Sequence, residues 1–303
     1  MSCCQRHSTL LGDARVIPVK NLTESVKSRL HSIAIARHED FNLTLIRYGV
    51  ERLLYRLSKS DYKDQFLLKG AMLFMLWDAL PHRPTKDLDL LGFVPAEKKI
   101  LVGIFREIVG AEVEPDGLAF DRENIIPTEI LENNRYGGTR IKLIAWLGNA
   151  RIPIQIDIGS GDVVTPAPEP VVFPVMLDFP APQIRAYPVY TVMAEKIEAA
   201  AKLKETNSRM KDFYDIWFLL QRFSFDTAIL RTAISATFER RKTALPEFPE
   251  PFSETLAGDP KKHQQWEAFL RRNSLTDTTA DFHDLVVDIR SFLGKALQES
   301  YSH

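Results

Sequence analysis

Leu67-Leu68-Lys69-Gly70-Ala71-Met72 and, a little further on, Arg83-Pro84-Thr85-Lys86-Asp87-Leu88-Asp89-Leu90 decide how this chain is read. The first segment is a small-residue turn that runs into the apolar Met72-Leu73-Phe74-Met75-Leu76-Trp77. The second ends in two aspartates one residue apart. Successive side chains of a strand point to opposite faces, so a strand here puts Asp87 and Asp89 on one face and Leu88 and Leu90 on the other. Two neighbouring carboxylates repel, and gathering them in a fold calls for a cation between them. Magnesium suits such a place, because it takes hard oxygen ligands: one or two carboxylates, substrate phosphates and water. A bare Asp-x-Asp also occurs at solvated strand starts, so the pair alone does not decide.

The turn upstream adds weight. Phe66-Leu67-Leu68 has the make-up of a short buried strand, and residues 72–77 that of a helix buried all round. Gly70 at the helix start lets a ligand approach the backbone closely. The free amides and dipole of that helix end favour a phosphate. A plain strand-to-helix connection would also carry Gly70-Ala71. What discriminates is the order: glycine turn, apolar helix, Arg83-Pro84-Thr85 loop, aspartate pair.

That order resembles the nucleotidyltransferase toxins of the AbiEii/AbiGii type, similar to MenT-type tRNA nucleotidyltransferase toxins, in the DNA polymerase β-like nucleotidyltransferase superfamily. Members usually carry Gly-Gly or Gly-Ser at the turn; Gly70-Ala71 keeps the backbone amide and lacks the serine hydroxyl. The resemblance implies an α+β fold: a nucleotidyltransferase mixed sheet flanked by helices, with a C-terminal helical domain. It implies Lys69, Gly70, Ala71, Arg83 and Thr85 as nucleotide contacts, and Asp87 and Asp89 as catalytic magnesium ligands.

Composition bounds the rest. The 303 residues suffice for two domains or one large one. A hydrophobic content of 45% supports a real core. Lys and Arg number 39 against 40 Asp and Glu, so any nucleic-acid contact must come from a local patch. The two cysteines, Cys3 and Cys4, are adjacent and form no disulfide framework, which agrees with a reducing cytosol. There is no signal-peptide core and no apolar run long enough to span a membrane, so a cytoplasmic protein is expected.

Residues 1–20 read as poorly structured. Helices are expected over 22–38, with Asn21 as a possible cap, and over about 42–59; both read as packing helices laid against the sheet. Residues 96–109 read as another. Short edge strands are expected over 111–114 and 118–121, around Pro115-Asp116-Gly117. Residues 138–145 and 151–158 form a hairpin about the turn 147–150. On its returning strand Ile152, Ile154, Ile156 and Ile158 share one face, and Arg151, Pro153, Gln155 and Asp157 the other. Asp157 is either solvent-facing or, beside Asp87 and Asp89, the third member of a carboxylate cluster. In the superfamily that third carboxylate helps to deprotonate the attacking hydroxyl, and Asp157 is a catalytic and metal-ligand candidate on that ground. Asp162, after Gly159-Ser160-Gly161, reads as a turn residue.

The proline-rich stretch 165–188 reads as an irregular link with short strands. It divides the chain at 188/189 into a domain of N-terminal helices and sheet, 1–188, and a helical domain, 189–303. The latter opens with a strong helix over 191–201, breaks at 207–210, and continues with Arg209-Met210-Lys211-Asp212-Phe213-Tyr214-Asp215. Ala194-Glu195-Lys196 followed by that segment strengthens the resemblance. By motif, Lys196 corresponds to the family's nucleotide-contacting lysine and Asp212 to its essential aspartate. Lys196 would neutralise triphosphate charge as a point cation, and Asp212 would orient it by a charge-assisted hydrogen bond. Arg209, Lys211 and Asp215 read as a local salt-bridge network. Further helices are expected over 227–241, 263–272 and 279–298, with a loop over 246–260. Lys202, Lys204, Arg209, Lys211, Arg240-Arg241-Lys242 and Arg271-Arg272 are basic residues that would line an RNA groove if brought to one side.

The expectation is a toxin-antitoxin enzyme that transfers a nucleoside monophosphate from a nucleoside triphosphate to the 3′ end of tRNA, with a cognate antitoxin. Transfer to a protein or small molecule is the alternative of the same chemistry. A regulatory nucleotide binder without turnover is the alternative of another class.

Overall fold

The computed structural model describes residues 19–78, 83–132, 135–203, 209–246, 249–275 and 281–298. Cys3, Cys4, Lys204 and the expected break at 207–208 lie outside them. The chain is α+β, a mixed sheet flanked by helices. Two helices come first, α1 (Val19–Ala36) and α2 (Phe41–Lys59). Asp40 caps α2 by accepting the Leu43 amide at 3.1 Å. Then follow β1 (Phe66–Lys69), a 3-10 turn (Gly70–Leu73), the single-turn α3 (Phe74–Trp77), β2 (Asp87–Gly92) and α4 (Lys98–Val109). The strands β3 (Leu118–Phe120), β4 (Ile126–Glu132), β5 (Arg135–Leu147), β6 (Ala150–Ser160), β7 (Glu169–Val172) and β8 (Gln183–Ala186) complete the sheet.

The strand order is β3-β5-β6-β2-β1-β8-β7, with β4 also paired to β5. β2 runs parallel to β6, and β1 parallel to β8; the remaining pairs are antiparallel. Ile152, Ile154, Ile156 and Ile158 are all buried, as the alternation on β6 requires. α2 crosses that face so closely that a Cβ at Gly49 would come 3.0 Å from the Ile154 side chain. α2 also buries charge: Arg56 donates twice to Asp116, at 2.6 and 3.2 Å, and Glu51 accepts the Met176 amide at 2.8 Å.

Helices make up the C-terminal part: α5 (Val189–Leu203), α6 (Met210–Arg222), α7 (Thr227–Arg241), α8 (Glu254–Ala257), α9 (Pro260–Arg272) and α10 (Phe282–Gln298). Asp226 and Asp259 cap α7 and α9 through their side chains. α6 is the hub of an aromatic cluster, with Phe213 against Phe252 and Phe282, and Tyr214 against Trp266 and Phe269.

Two local expectations need correction, and one strand is not among those expected. Residues 111–114 form no strand; only Leu118–Phe120 pairs, because Tyr48 and Arg56 tie the preceding segment down through Asp116 instead. β4 is an additional strand, hidden in the sequence because Pro127 and Glu129 mask the alternation of an outer strand. The short strands expected within 165–188 are β7 and β8, and β8 adds to the sheet alongside β1. The 246–260 loop holds a 3-10 turn at Glu250–Phe252 and the short α8.

Candidate active site

The site is built on one transverse row of the sheet. Lys69 on β1 lies opposite Asp89 on β2, Asp89 opposite Asp157 on β6, and Asp157 opposite Arg140 on β5. Residues directly opposite share a face, so two carboxylates stand side by side with a cation at each end. The next row carries Asp87 opposite Gln155, whose amide donates to the Asp87 carboxylate at 2.9 Å.

Gly70 closes one side. Its φ is +70°, a left-handed conformation that disfavours a side chain, and a Cβ there would overlap the Asp89 carboxylate. The turn therefore lays its backbone directly against Asp89. The expected helix over 72–77 begins as the 3-10 turn and is α-helical only at Phe74–Trp77. Such a short helix has little macrodipole, so the turn offers a ligand its glycine backbone rather than a helix field. Ala71 and Thr85 are both half-buried, on the turn and on the approach to β2.

Burial raises the Asp89 carboxyl to about 6, with Asp157 and Asp87 adding to the rise against the Lys69 and Lys211 ammonium groups. Asp87 is raised too, by burial first and then by Asp157. This crowding of acidic oxygens is the donor chemistry that a hard divalent cation relieves. Asp157 is in register to join them, and its carboxylate is taken up by Arg140 in a two-pronged pair of 2.8 and 2.7 Å. Among the described residues no group of three or more Asp, Glu, His or Cys side chains is arranged to hold a metal ion. The residues fit a metal at the Asp87–Asp89 pair; Asp157 stands beside that pair, paired with Arg140.

The opposite wall comes from α5 and α6. The Lys196 ammonium donates to Asp212 at 3.3 Å and to Asp215 at 2.5 Å. Arg83, four residues before Asp87, grips Asp215 with two bonds of 2.8 and 2.9 Å. Asp215 is fully buried and Asp212 nearly so. Burial works against the charge of Lys196, and Asp215 and Asp212 more than offset it, so its pKa is raised and it stays protonated. Arg83 is held the same way. The Lys196 ammonium also lies 5.9 Å from the centre of the Phe74 ring, which packs on Phe218 of α6.

The structure thus brings together Lys69, Gly70, Arg83, Asp87, Asp89, Asp157, Lys196 and Asp212. Asp215 joins them as the hub that links Lys196 to Arg83. Its sequence signal is its place three residues after Asp212, on the same helix face. Asp162 is more than a turn residue: it accepts from Lys69 at 2.8 Å. Arg241, expected in an exposed basic cluster, is instead paired with Glu195 at 2.9 Å and Glu198 at 2.8 Å, and Arg240 donates to the Gly161 carbonyl. Both arginines therefore tie α7 to α5 and to the end of β6.

A mixed sheet with an aspartate pair beside a glycine turn and a lysine facing it from a helix defines the nucleotidyltransferase class. Residues 52–287 match the family of nucleotidyl transferase AbiEii toxins of type IV toxin–antitoxin systems, and the chain belongs to that family. It is a nucleotidyltransferase. Among solved structures it is similar to MenT4, a nucleotidyltransferase toxin from Mycobacterium tuberculosis H37Rv, at 16% identity and a TM-score of 0.55, covering 89% of this chain and 97% of that one. JHP933 from Helicobacter pylori is similar at 13% identity and a TM-score of 0.47, covering 82% and 89%. No curated protein matches by sequence. Among the described residues no helix is long and apolar enough to cross a membrane.

Proposed function

We propose that the protein transfers a nucleoside monophosphate from a magnesium-bound nucleoside triphosphate to the 3′ end of tRNA, as a cytoplasmic toxin restrained by a cognate antitoxin. The observation that carries the transfer chemistry is the Asp89–Gly70 contact beside Asp87. It places acidic oxygens and an open backbone on the same face as the row Lys69, Asp89, Asp157 and Arg140.

Asp87 and Asp89 would hold the ion. The chemistry magnesium supplies when bound there is neutralisation of polyphosphate charge and alignment of its oxygens. The turn Lys69-Gly70-Ala71 offers backbone to the phosphates, and Thr85 its hydroxyl. An ammonium has three N–H groups, and Asp212 and Asp215 occupy two of those on Lys196; the third is left for a phosphate oxygen. Arg83 adds a positive field fixed by Asp215. The acceptor hydroxyl attacks the α-phosphorus, the bond to the bridging oxygen breaks, and pyrophosphate leaves. Asp157 takes the hydroxyl proton once Arg140 yields it. The sheet part, 1–188, and the helical part, 189–303, act as two domains that meet at this cleft.

The tRNA acceptor rests on the family resemblance and on exposed cations such as Lys202, Arg209, Lys211 and Arg272 in a chain of net charge −1. The test is labelled nucleotide with tRNA whose terminal ribose is intact or periodate-oxidised. Label on intact tRNA alone supports the proposal. Equal label on both excludes the terminal hydroxyl, and label only on protein redirects the acceptor to a polypeptide.

A further inference from the structure

Most cations around the aspartate pair are already committed. Lys69 is paired with Asp162, Arg140 with Asp157, Arg83 with Asp215, Lys196 with Asp215 and Asp212, and Arg209 with Asp212 at 2.9 Å. Lys211 is different. It is exposed and, among the described residues, has no ion pair or hydrogen-bond partner for its ammonium. It stands in the first turn of α6, one turn before Asp215 and therefore on the helix face that Arg83 grips. Its charge reaches both Asp87 and Asp89.

Its surroundings ask for an anion. Arg83, Lys196, Arg209 and Lys211 face four carboxylates, Asp212, Asp215, Asp87 and Asp89, so with the aspartate pair given over to a metal ion two positive charges are left over for an anion. Partial burial lowers the Lys211 ammonium below the usual lysine range, against the pull of Asp212, and Arg209, Arg83 and Lys196 lower it further. A lysine without a carboxylate partner also gives up no internal bond when it turns to a ligand. We propose that Lys211 is a direct polyphosphate-binding residue of this enzyme, closing on the nucleoside triphosphate from α6 while Lys196 and Arg83 stay braced by their aspartates. This rests on the reading of the Asp87–Asp89 face as the nucleotide site.

The test measures equilibrium binding of a nucleoside triphosphate with a methylene α–β bridge, and of the matching monophosphate, in magnesium. Wild type, Lys211→Ala and Lys211→Arg are compared. Lys211→Ala should weaken the triphosphate by roughly tenfold, the scale of one charge-assisted contact, and leave the monophosphate unchanged. Lys211→Arg should fall between. In turnover KM should rise more than kcat falls, and the melting temperature should not move. Equal triphosphate affinity in wild type and Lys211→Ala overturns the inference and leaves the nucleotide site standing. Equal weakening of mono- and triphosphate overturns it as well, by pointing to a general disturbance. Wild type that binds neither nucleotide removes the site itself.

Discussion

Asp89 and Asp157 face each other across β2 and β6 as register partners, and only one of them is neutralised by an arginine. Arg140 takes the Asp157 charge. Asp89 is left to Lys69, Lys211 and whatever cation enters, and its carboxyl is raised to about 6 from the ordinary 3.8. A raised carboxyl makes the folded state bind the proton more tightly than the unfolded chain. Its contribution to stability is therefore greatest below about pH 4 and is lost as pH rises through 6. Without metal, Asp89→Asn should flatten this fall and hold or raise the melting temperature at pH 7. Added magnesium should raise the melting temperature of wild type and not of the variant. Equal shifts in both would remove Asp89 from the metal site.

Gly70 tests the same corner through the backbone. Gly70→Ala forces a side chain into a left-handed φ and into the Asp89 carboxylate. The strain should cost about 1–3 kcal/mol in chemical denaturation. Displacement of Asp89 should reduce turnover far more than the loss of fold explains. A variant with wild-type turnover would show that Asp89 has room to move without consequence.

Asp215 is the most exacting position of the opposite wall. Asp215→Ala would leave Arg83 and Lys196 without their shared buried partner, a loss of about 3–5 kcal/mol on the scale of a broken buried pair. Asp212→Ala should cost less, since Lys196 keeps Asp215. Lys196→Ala combined with Asp212→Ala should be non-additive in both stability and nucleotide affinity, because the two act through one contact. Additive effects in urea unfolding would separate them.

These residues show where the sequence is readable. The aspartate pair, the isoleucine face of β6 and the Lys196 and Asp212 positions follow from a period of two or from a short motif, which are local signals. The partners do not. Lys69 meets Asp162, 93 positions away, through the strand order that sets β1 near the end of β6, and Arg83 meets Asp215, 132 away, only because α6 lands against the sheet. Arg140 lies across the hairpin from Asp157, yet its pairing can be inferred only with the register settled. The α-helix at 74–77 is shorter than its apolar run suggests, because apolar content alone does not mark where a helix begins or ends.

Glu51 gives a pH test away from the site. Buried on α2, it is raised to about 7 by burial, against Arg52 and the Met176 amide. As with any raised carboxyl, its stabilising proton is present below about pH 4.5 and lost as pH rises through 7. Glu51→Gln keeps an oxygen for Met176 and removes the charge. At pH 8 it should be more stable than wild type by about 1–3 kcal/mol, and the difference should vanish near pH 4. Parallel pH profiles of the melting temperature would mean that Glu51 does not titrate in this range.

Two sets of arginines, alike as basic clusters in the sequence, should separate in an RNA-binding assay. Arg241 is committed to Glu195 and Glu198, and Arg240 to the Gly161 carbonyl, so charge reversal there should lower the melting temperature and disturb nucleotide binding along with anything else. Arg271 and Arg272 are exposed, and the Arg271 pair with Glu267, at 3.4 Å with both side chains in solvent, contributes little to stability. Arg271→Glu with Arg272→Glu should leave melting and nucleotide affinity intact. If α9 borders the RNA path, the same variant weakens tRNA binding, and the slope of log affinity against log salt falls by about one to two, one for each phosphate that is no longer neutralised. Unchanged affinity and slope would take α9 out of that path. The acceptor strand would then have to be held by the cations nearer the cleft, Lys86, Arg209 and Lys211.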